Sequence, residues 1–536
     1  MKKTKLSLPR VAYFCMEFGL HESFPIYSGG LGILAGDILK EAKASNFPLI
    51  GIGILWRQGY TSQRIDQKGY PYDSYYEYRH DWLEDTKVKV RVRIRGRQVK
   101  CKVWKCTQFE NVPLYLLDVN LPENDDRLLT GQLYGWFSEE RVAQEIILGI
   151  GGIKALRALG IPVDIYHFND SHPVFAGIEL INELMEDKGL DFEEAWEQVK
   201  EKIVFTTHTP VKAGNEEHDH ELLRYMGAYN GLTFGQMLKL GGDPFSMTVA
   251  GLRLAKKANA VAELHGNTAR QMWGSVPGTA EIIAITNGVF TGAWQDKKIA
   301  EAYETNAGLW APHQEAKRKM IEEIKRRNRV KLDENTLTIG SARRAAPYKR
   351  GNLIFSKPKV IGEYLKAGKV QIVLSGKAHP NDLIGKDIVA EMYKMSRLYP
   401  QSVVFLEDYN MEIGRLLTRG CDVWLNNPRR PQEASGTSGM KAAMNGVLNF
   451  SVLDGWWPEG CIHGVNGWQI GGGYEGKDQD KVDRDSLYRV LLEEVIPTYY
   501  HNREKWFEMM KASINMSQWK FSATRMLKDY YQKLYN

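Results

Sequence analysis

The chain of 536 residues is too long for one core of ordinary size, so two or three domains are expected. Hydrophobic residues make up 43% and charged residues 25%, a balance that excludes fibrous and disordered proteins. The net charge of +6 is small and basic residues are mixed with acidic ones, which argues against a nucleic-acid partner. No apolar run approaches the roughly 18 to 20 residues of a membrane-spanning helix.

The N-terminus and the cysteines indicate a cytoplasmic protein. Pro9 and Glu17 interrupt the segment in which a signal peptide would need its apolar core. The five cysteines are odd in number and mostly far apart, so no disulfide framework is predicted. Cys101 and Cys106 are followed by no second Cys or His pair at ligand spacing, and we expect no metal site.

Short apolar runs alternate with helix-length segments through most of the chain, which is typical of β-α units around parallel sheets. The runs form two series, and most of them are followed by a polar loop. The first series includes Val163–Phe168, Lys202–Phe205 and Glu281–Ile285; the second includes Thr336–Gly340, Val370–Leu374, Val403–Leu406, Val423–Leu425 and Val447–Phe450.

Three segments depart from that pattern. From Val88 to Cys106 apolar and basic residues alternate around Gly96, which predicts an antiparallel hairpin whose basic face is either solvated, the favoured interpretation, or binds an anion. The segment Gln314–Asp333 is rich in Lys, Arg and Glu and is predicted to be an exposed helix rather than core. The aromatic-rich segment Trp506–Tyr535 has a helical pattern and is expected to pack back against a domain.

Two loops place a histidine at the end of a predicted strand, where ligands bind in open parallel sheets. Asn169-Asp170-Ser171-His172-Pro173 follows one run, and Thr206-Thr207-His208-Thr209-Pro210 follows the next. A single loop histidine is usually a capping or surface residue. Two such loops from adjacent units favour a functional role.

A glycine-rich segment, Ser28–Gly32, precedes the helix-like run Ile33–Ala44 and could cradle an anion with its backbone amides. It also matches a degenerate dinucleotide fingerprint. We discount that match, because no clear strand directly precedes it and no acidic residue stands at a strand end about 20 residues later.

The second series contains a basic loop and a loop of small residues. Arg343, Arg344, Lys349 and Arg350 surround Tyr348, a concentration of charge that suits either a phosphate or a solvated loop. The segment Glu433–Lys441 reads Glu-Ala-Ser-Gly-Thr-Ser-Gly-Met-Lys. Its amides suit a phosphate or sugar hydroxyl, and its lysine could form a Schiff base, pair with an anion, or simply begin a helix.

In this order, these loops resemble the α-glucan phosphorylases, retaining glycosyltransferases with the GT-B fold. The resemblance spans nearly the whole chain, and Glu433–Lys441 looks like the family's attachment site for pyridoxal 5′-phosphate. It implies an α/β architecture of two Rossmann-like, doubly wound parallel-sheet domains facing across a deep cleft. We expect an N-terminal glucan domain at 1–288 with a hairpin insertion near 88–118, a C-terminal cofactor and phosphate domain at 289–515, and a helix at 516–536 packing back on the body.

The resemblance also implies the site residues. Lys441 would hold the cofactor as a Schiff base, and the other residues expected around the cofactor are Gly29, Gly30, Trp294, Arg343, Lys349, Tyr409, Thr437 and Ser438. Lys441, Arg344, Lys349 and His208 would be catalytic, with Arg344 and Lys349 gripping the substrate phosphate. The expected substrate contacts are Leu31, Asp170, His172, His208, Asn287, Arg344, Tyr348, Glu433, Ser435 and Gly436.

The implied activity is exchange of α-1,4-linked terminal glucose of glycogen, starch or maltodextrin with inorganic phosphate, giving glucose 1-phosphate with retention. In that family the cofactor's phosphate, rather than its ring, takes the chemical role. A homodimer is one assembly compatible with the resemblance. Arg343 stands where many members have lysine, so the affinity for phosphate is expected to differ.

Two other functions remain to be weighed. A nucleotide-sugar glucan synthase of the same architecture usually has lysine where Ser28 stands, and Ser28 together with the complete Glu433–Lys441 motif argues against it. A silent glycan-binding homologue would have little reason to keep His208, Arg344, Lys349 and Lys441 together, because clustered charges are costly without a ligand.

Overall fold

The computed structural model describes residues 8–135, 138–211 and 214–536, which divide into two compact units. Unit 1 comprises the chain up to Thr61, Tyr75–Thr286 and Met526–Asn536. Unit 2 comprises Ser62–Ser74 and Asn287–Arg525. Among the described helices, none has the length and apolar character needed to cross a membrane.

Unit 1 is an α/β unit, and its elements are numbered here along the whole chain. Its strands are β1 (Val11–Phe14), β2 (Leu49–Ile54), β5 (Glu84–Ile94), β6 (Arg97–Cys106), β7 (Leu114–Asp118), β8 (Ile165–Asn169), β9 (Ile203–Thr206), β10 (Glu217–His218), β11 (Phe245–Ser246), β12 (Lys257–Ala260) and β13 (Ile282–Ala284). Its helices are α1 (Gly30–Ala44), α2 (Glu139–Ile146), α3 (Gly152–Ala158), α4 (Phe175–Lys188), α5 (Phe192–Lys200), α6 (His220–Met226), α7 (Phe234–Gly241), α8 (Met247–Leu254) and α9 (Glu263–Trp273).

The main sheet of unit 1 has the order β13-β12-β9-β8-β1-β2-β7-β6-β5. Neighbours are parallel from β13 to β7, whereas β6 is antiparallel to both β7 and β5. The central strands are buried along their whole length, as expected for parallel strands covered on both faces. In the β5–β6 pair Val92 and Ile94 are buried while Arg91 and Arg93 are exposed, so this basic face is solvated.

Unit 2 is built in the same manner. Its strands are β3 (Ser62–Ile65), β4 (Pro71–Ser74), β14 (Leu337–Ala342), β15 (Val370–Ser375), β16 (Val403–Leu406), β17 (Val423–Asn426), β18 (Leu448–Val452) and β19 (Gly467–Ile470). Its helices are α10 (Thr291–Trp294), α11 (Lys297–Glu304), α12 (Trp310–Asn328), α13 (Pro358–Lys366), α14 (Leu383–Leu398), α15 (Met411–Gly420), α16 (Ser438–Ala443), α17 (Trp457–Gly460), α18 (Gln479–Val490), α19 (Ile496–His501) and α20 (Arg503–Ser517), and α21 (Ala523–Asp529) begins in this unit and ends in unit 1.

The main sheet of unit 2 has the order β16-β15-β14-β17-β18-β19, and all its neighbouring strands are parallel. The expected fold class, α/β with doubly wound parallel sheets, is confirmed. The β3–β4 hairpin joins this unit through the side chain of Gln63, which donates to Ala378 O at 3.1 Å and accepts from Ala378 N at 2.9 Å.

Two features differ from the expectations. The charged helix α12 is not simply exposed: Met320 and Ile324 are buried, and Lys317 is fully buried with its Nζ 2.6 Å from Asp422 Oδ2. The helix therefore has a core-facing stripe that its high charge conceals. In addition, β2 is not among the predicted strands, because two of its residues are glycines, which weaken a strand pattern. The glycine at position 51 allows close packing, since a Cβ there would lie 2.8 Å from Leu114 Cδ1.

Candidate active site

The strand order of each main sheet predicts where a ligand would bind in that unit. In a doubly wound sheet, ligands bind beyond the carboxyl ends of the strands at the point where the strand order reverses. The reversal lies between β1 and β8 in unit 1 and between β14 and β17 in unit 2. The glycine-rich and Asn-Asp-Ser-His-Pro segments follow the first two strands, and the basic and Glu433–Lys441 loops follow the second two.

In unit 2 the basic loop and the Glu433–Lys441 loop are joined by an ion pair. Lys349 Nζ lies 3.0 and 2.7 Å from the two carboxylate oxygens of Glu433, and each side chain is 14% exposed. Burial lowers the pKa of Lys349, but the Glu433 carboxylate and Tyr348 together outweigh it, so that the pKa is raised and the ammonium stays charged. The backbone strengthens the contact, since Arg429 N donates to Tyr348 O at 2.7 Å.

Arg343 lies at the carboxyl end of β14 and reaches to the end of β17. Its Nη1 and Nη2 donate to the side-chain oxygens of Asn426 and Asn427 at 3.0 and 2.8 Å. Its Nε is buried without a hydrogen-bond partner among the described residues. Arg344, the next residue, is exposed. At this end of the sheet the Arg343 guanidinium is therefore anchored and keeps one N–H without a described acceptor, and the side chain of Arg344 beside it is exposed.

Arg350 does not belong with the other three basic residues of its loop. Its guanidinium donates to Asn427 O at 2.9 Å and Pro428 O at 2.7 Å, and it pairs with Asp483 at 2.6 Å. The side chain is 6% exposed. Its charge is neutralised internally, so Arg350 stabilises the loop rather than a ligand.

Lys441 is buried on α16, at 6% exposure. Its Nζ lies 3.6 Å from the centroid of the Trp294 ring. The Asn445 side chain fixes this arrangement by donating to Lys441 O at 2.8 Å and to Trp294 O at 3.1 Å. A buried amine held beside an aromatic face is suited to a covalent bond with a carbonyl carbon, because lysine amines form Schiff bases with carbonyl compounds.

The remaining residues expected around Lys441 have mixed environments. Ser438 Oγ accepts from Trp424 Nε1 at 3.1 Å, whereas Ser435 Oγ is buried and has no partner among the described residues. Gly436 has φ +82°, a conformation that favours glycine. Burial raises the pKa of Tyr409 to about 12, so its hydroxyl stays protonated.

In unit 1 the glycine-rich segment rests on a buried carboxylate. Glu17 accepts from Ser28 N at 2.5 Å and from Gly29 N at 3.2 Å. The amide of Gly29 is therefore directed at Glu17 rather than free for an anion. A Cβ at Gly29 or Gly30 would meet no atom within 4 Å, so space is open on the other side of the segment, with Leu31 half-buried next to it.

The two histidine loops of unit 1 carry uncharged imidazoles. His208 Nε2 lies 2.6 Å from Asn169 Oδ1, and burial lowers the pKa of His208 to about 3. With Nε2 donating to the amide oxygen, Nδ1 is left as an acceptor. Burial likewise lowers the pKa of His172 to about 4 and raises the pKa of Asp170 to about 7. These groups are suited to hydrogen bonds with neutral hydroxyls.

The chain matches the family model described as carbohydrate phosphorylase at residues 155–228 and 295–457. It is 40% identical to the maltodextrin phosphorylase of Thermococcus litoralis, over 98% of this chain and 70% of that protein. It is 35% identical to the glycogen phosphorylase of Aquifex aeolicus, over 98% and 86%, and 37% identical to an uncharacterized protein of Methanocaldococcus jannaschii, over 98% and 99%. The chain belongs to the carbohydrate phosphorylase family.

In this member of the carbohydrate phosphorylase family, sequence reasoning located the loops but missed several residues that hold them. Glu17 follows β1, Asn426 ends β17 and Asn427 comes directly after it, and Asp454 follows β18. The Asp454 carboxylate accepts from Glu433 N at 2.9 Å and from Gly455 N at 2.8 Å. Each stands at or just beyond a strand's carboxyl end, so a search of every strand end for polar residues would have found them.

The predicted site residues of this family member are divided between the units. Gly29, Gly30, Leu31, Asp170, His172 and His208 lie in unit 1, and Asn287, Trp294, Arg343, Arg344, Tyr348, Lys349, Tyr409, Glu433, Ser435, Gly436, Thr437, Ser438 and Lys441 lie in unit 2. The structure brings Lys349 to Glu433 and Lys441 to Trp294 by direct contact. The Oδ1 of Asn287 is buried without a partner among the described residues.

Proposed function

We propose that this chain is an α-1,4-glucan phosphorylase, which reversibly transfers the non-reducing terminal glucose of glycogen, starch or maltodextrin to inorganic phosphate. The observation that carries this proposal is the Lys349–Glu433 ion pair at the strand-order reversal of unit 2. It joins a cation suited to phosphate to a carboxylate suited to sugar hydroxyls. The names of the maltodextrin and glycogen phosphorylases to which the chain is similar support the same activity.

Pyridoxal 5′-phosphate is the proposed cofactor, and the residues of unit 2 fit it. Lys441 offers a buried amine for the covalent link, with Trp294 beside it. Arg343 Nε is a buried donor without a partner among the described residues, and Lys349 supplies a positive charge. We assign contacts with the cofactor to these residues and to Gly29, Gly30, Tyr409, Thr437 and Ser438. When bound, the cofactor supplies a phosphate group that exchanges a proton with the substrate phosphate.

Arg344 and Lys349 are assigned to the inorganic phosphate. In phosphorolysis the bond between C1 and the glycosidic oxygen breaks, that oxygen takes a proton from inorganic phosphate, and a phosphate oxygen bonds to C1 on the same face. Two phosphate groups a few ångströms apart repel strongly in a partly dry site. Fixed cations offset this repulsion and stabilise the transition state, since they need little reorganisation during the reaction.

The sugar contacts are assigned by chemical type. Glu433, Ser435 and Gly436 would meet the 3- and 4-hydroxyls of the terminal glucose, and His208 and Asn287 would meet its 6-hydroxyl. Leu31, Asp170 and His172 are assigned to the glucan, with the latter two at the neighbouring sugar unit, and Tyr348 to the substrate beside Lys349. The neutral imidazoles and the Asn287 Oδ1, which has no partner among the described residues, support these assignments, because each can accept a hydrogen bond from a sugar hydroxyl.

The decisive experiment is an assay for glucose 1-phosphate release from maltodextrins of defined length, with and without inorganic phosphate. We expect release that requires phosphate and an absorbance band from the lysine-bound cofactor. Colourless protein that transfers glucose from ADP-glucose would support the glucan synthase instead. Maltodextrin binding without turnover would support a silent glycan-binding protein.

We also propose a cytoplasmic location and a homodimeric assembly. Free cysteines, four of them buried, are compatible with a reducing compartment. Light scattering after size-exclusion chromatography tests the assembly, and a mass of one 61.1 kDa chain would contradict it. Fractionation of cells that express the protein tests the location.

A further inference from the structure

Unit 1 contains a buried ionisable cluster to which none of the roles above has been assigned. Glu145 lies on α2 with no exposed side-chain surface, and its Oε2 is 3.0 Å from His218 Nε2. Arg141, one helical turn earlier, has its Nε 3.2 Å from Glu216 Oε1. The cluster therefore draws residues from α2, from β10 and from the segment before β10, and it lies beside His172.

Two carboxyl groups of this cluster share a proton. Glu145 Oε1 and Glu216 Oε2 are both buried, and no other described residue donates a hydrogen bond to either oxygen. Burial and the Glu216 carboxylate raise the pKa of Glu145 to about 8. For Glu216, burial raises the pKa, but His172, Arg141 and a hydrogen bond from Glu145 lower it overall. Near neutral pH, protonated Glu145 thus donates to ionised Glu216.

The ionised carboxylate acts on His172. Glu216 Oε2 lies 3.9 Å from His172 Nε2, a distance at which its negative charge favours the imidazole proton on Nε2. His172 Nδ1 is buried and has no hydrogen-bond partner in the part of the chain that the structure describes. Because the imidazole is neutral, Nδ1 then carries a lone pair and accepts a hydrogen bond.

Tyr134 completes the cluster and connects it to the glycine-rich segment. The Arg141 guanidinium lies 4.7 Å from the centroid of the Tyr134 ring, and the His172 ring lies 5.8 Å from it. The Tyr134 hydroxyl donates to Glu17 Oε1 at 3.1 Å. Glu17 in turn accepts from the amides of Ser28 and Gly29. The cluster is therefore continuous with both strand-end loops at the reversal point of unit 1.

We propose that Glu216, held by Arg141 and Glu145, is a positioning residue that directs His172 Nδ1 to accept a hydroxyl hydrogen of the glucan. This inference rests on the proposed function, which makes the glucan the ligand. A cluster that served stability alone would be expected to have its buried polar atoms paired with each other or with backbone. Here His172 Nδ1, on the residue assigned to the neighbouring sugar unit, is a buried acceptor without a partner among the described residues.

The test compares Glu216→Gln with Glu217→Gln in the holoenzyme. The second substitution removes the same charge from the next residue, which is exposed, and is the matched control. Binding of maltopentaose without phosphate is measured by calorimetry, and KM and kcat are measured for maltopentaose and for phosphate. We expect Glu216→Gln to weaken maltopentaose binding about tenfold, as for loss of one buried hydrogen bond. The KM for phosphate and the cofactor absorbance should not change, and Glu217→Gln should match the parent.

Glu145 provides a second pair of variants. Glutamine at position 145 keeps a donor toward Glu216, as the protonated carboxyl does, so Glu145→Gln should retain maltopentaose affinity within about threefold. Glu145→Ala should lose it about as much as Glu216→Gln does. This contrast separates a hydrogen-bonding role from simple volume loss.

Three results would overturn the proposal: Glu216→Gln behaving as Glu217→Gln, an equal rise in KM for phosphate and for glucan, or equal losses in Glu145→Gln and Glu145→Ala. The proposed function is judged on the parent protein. A parent that neither binds maltopentaose nor releases glucose 1-phosphate overturns both. A parent that does both, with an unaffected Glu216→Gln variant, overturns this inference alone.

Discussion

The loops at the strand-order reversal of unit 1 and those of unit 2 occupy the same topological position but have opposite electrostatic character. In unit 1, burial keeps His172 and His208 uncharged, with their pKa values lowered to about 4 and 3. In unit 2, Lys349 is 14% exposed against 12% for His172, yet its pKa is raised because Glu433 contacts it. Sheet topology therefore decides where a ligand can bind. The charge of the residues at that position decides the kind of ligand: uncharged histidines suit neutral hydroxyls, and a lysine kept charged by its carboxylate partner suits an anion.

A second buried ion pair in unit 2 shows that burial alone does not mark a site. Lys317 donates to Asp422 at 2.6 Å and to Thr336 O at 2.7 Å, with no exposed side-chain surface. His313 Nε2 also lies 2.9 Å from Asp422. This network lies at the amino ends of the strands, since Asp422 precedes β17 and accepts from Thr338 N in β14. The Lys349–Glu433 pair lies at the carboxyl ends, where ligands bind.

The largest expected effect is that of Lys441→Ala. Loss of the amine should abolish phosphorolysis and the absorbance band of the bound cofactor, because no covalent link can form. Lys520→Ala, which removes an exposed lysine of the same unit, is the control. An active, coloured Lys441→Ala variant would show that unit 2 binds its anion without this residue.

Asp422→Ala should be the most destabilising of these substitutions, since it leaves Lys317 buried without its counter-ion. We expect a loss of about 3–5 kcal/mol in the free energy of unfolding, measured by denaturant titration. Glu334→Ala, which breaks the exposed pair with Arg318, should cost at most about 1 kcal/mol. Equal effects of the two substitutions would remove the distinction between a structural ion pair and a surface one.

Arg344→Ala tests the anionic character of unit 2 directly. We expect kcat for phosphorolysis to fall by about 10²–10³-fold, the usual cost of removing one preorganised group that stabilises transition-state charge. The cofactor absorbance should persist, because this residue is assigned to the substrate phosphate. Arg318→Ala is a charge-matched control, and unchanged turnover at saturating phosphate would contradict the assignment.

The smallest effect concerns pH. Burial, and to a smaller extent the Glu433 carboxylate, raises the pKa of Asp454 to about 7, above the value of about 4 in an unfolded chain. Its ionisation therefore costs stability as pH rises from about 4 to 7, with no further change above that range. The melting temperature of Asp454→Asn relative to the parent should rise by about 2–4 °C across this window. A constant difference would show that Asp454 is solvated.

Most of the strands could be predicted, because an apolar run ending in a polar loop is a local signal. The predicted run Val403–Leu406 coincides with β16, and Val370–Leu374 falls one residue short of β15. The inner face of α12 was missed because Lys317 is buried by a partner 105 residues away. A charged residue is predicted to be exposed when only its sequence neighbours are considered, because its counter-ion is distant in the chain.

The identity of the loops and their position at strand ends follow from the amino-acid sequence, since periodicity and motif chemistry are local properties. Which polar atoms are committed to the protein required the folded structure. Gly29 N donates to Glu17, Arg350 pairs with Asp483, and Lys349 pairs with Glu433, across separations of 12, 133 and 84 residues. Such partners are chosen by the sheet topology, which brings together the ends of strands that are distant in the chain.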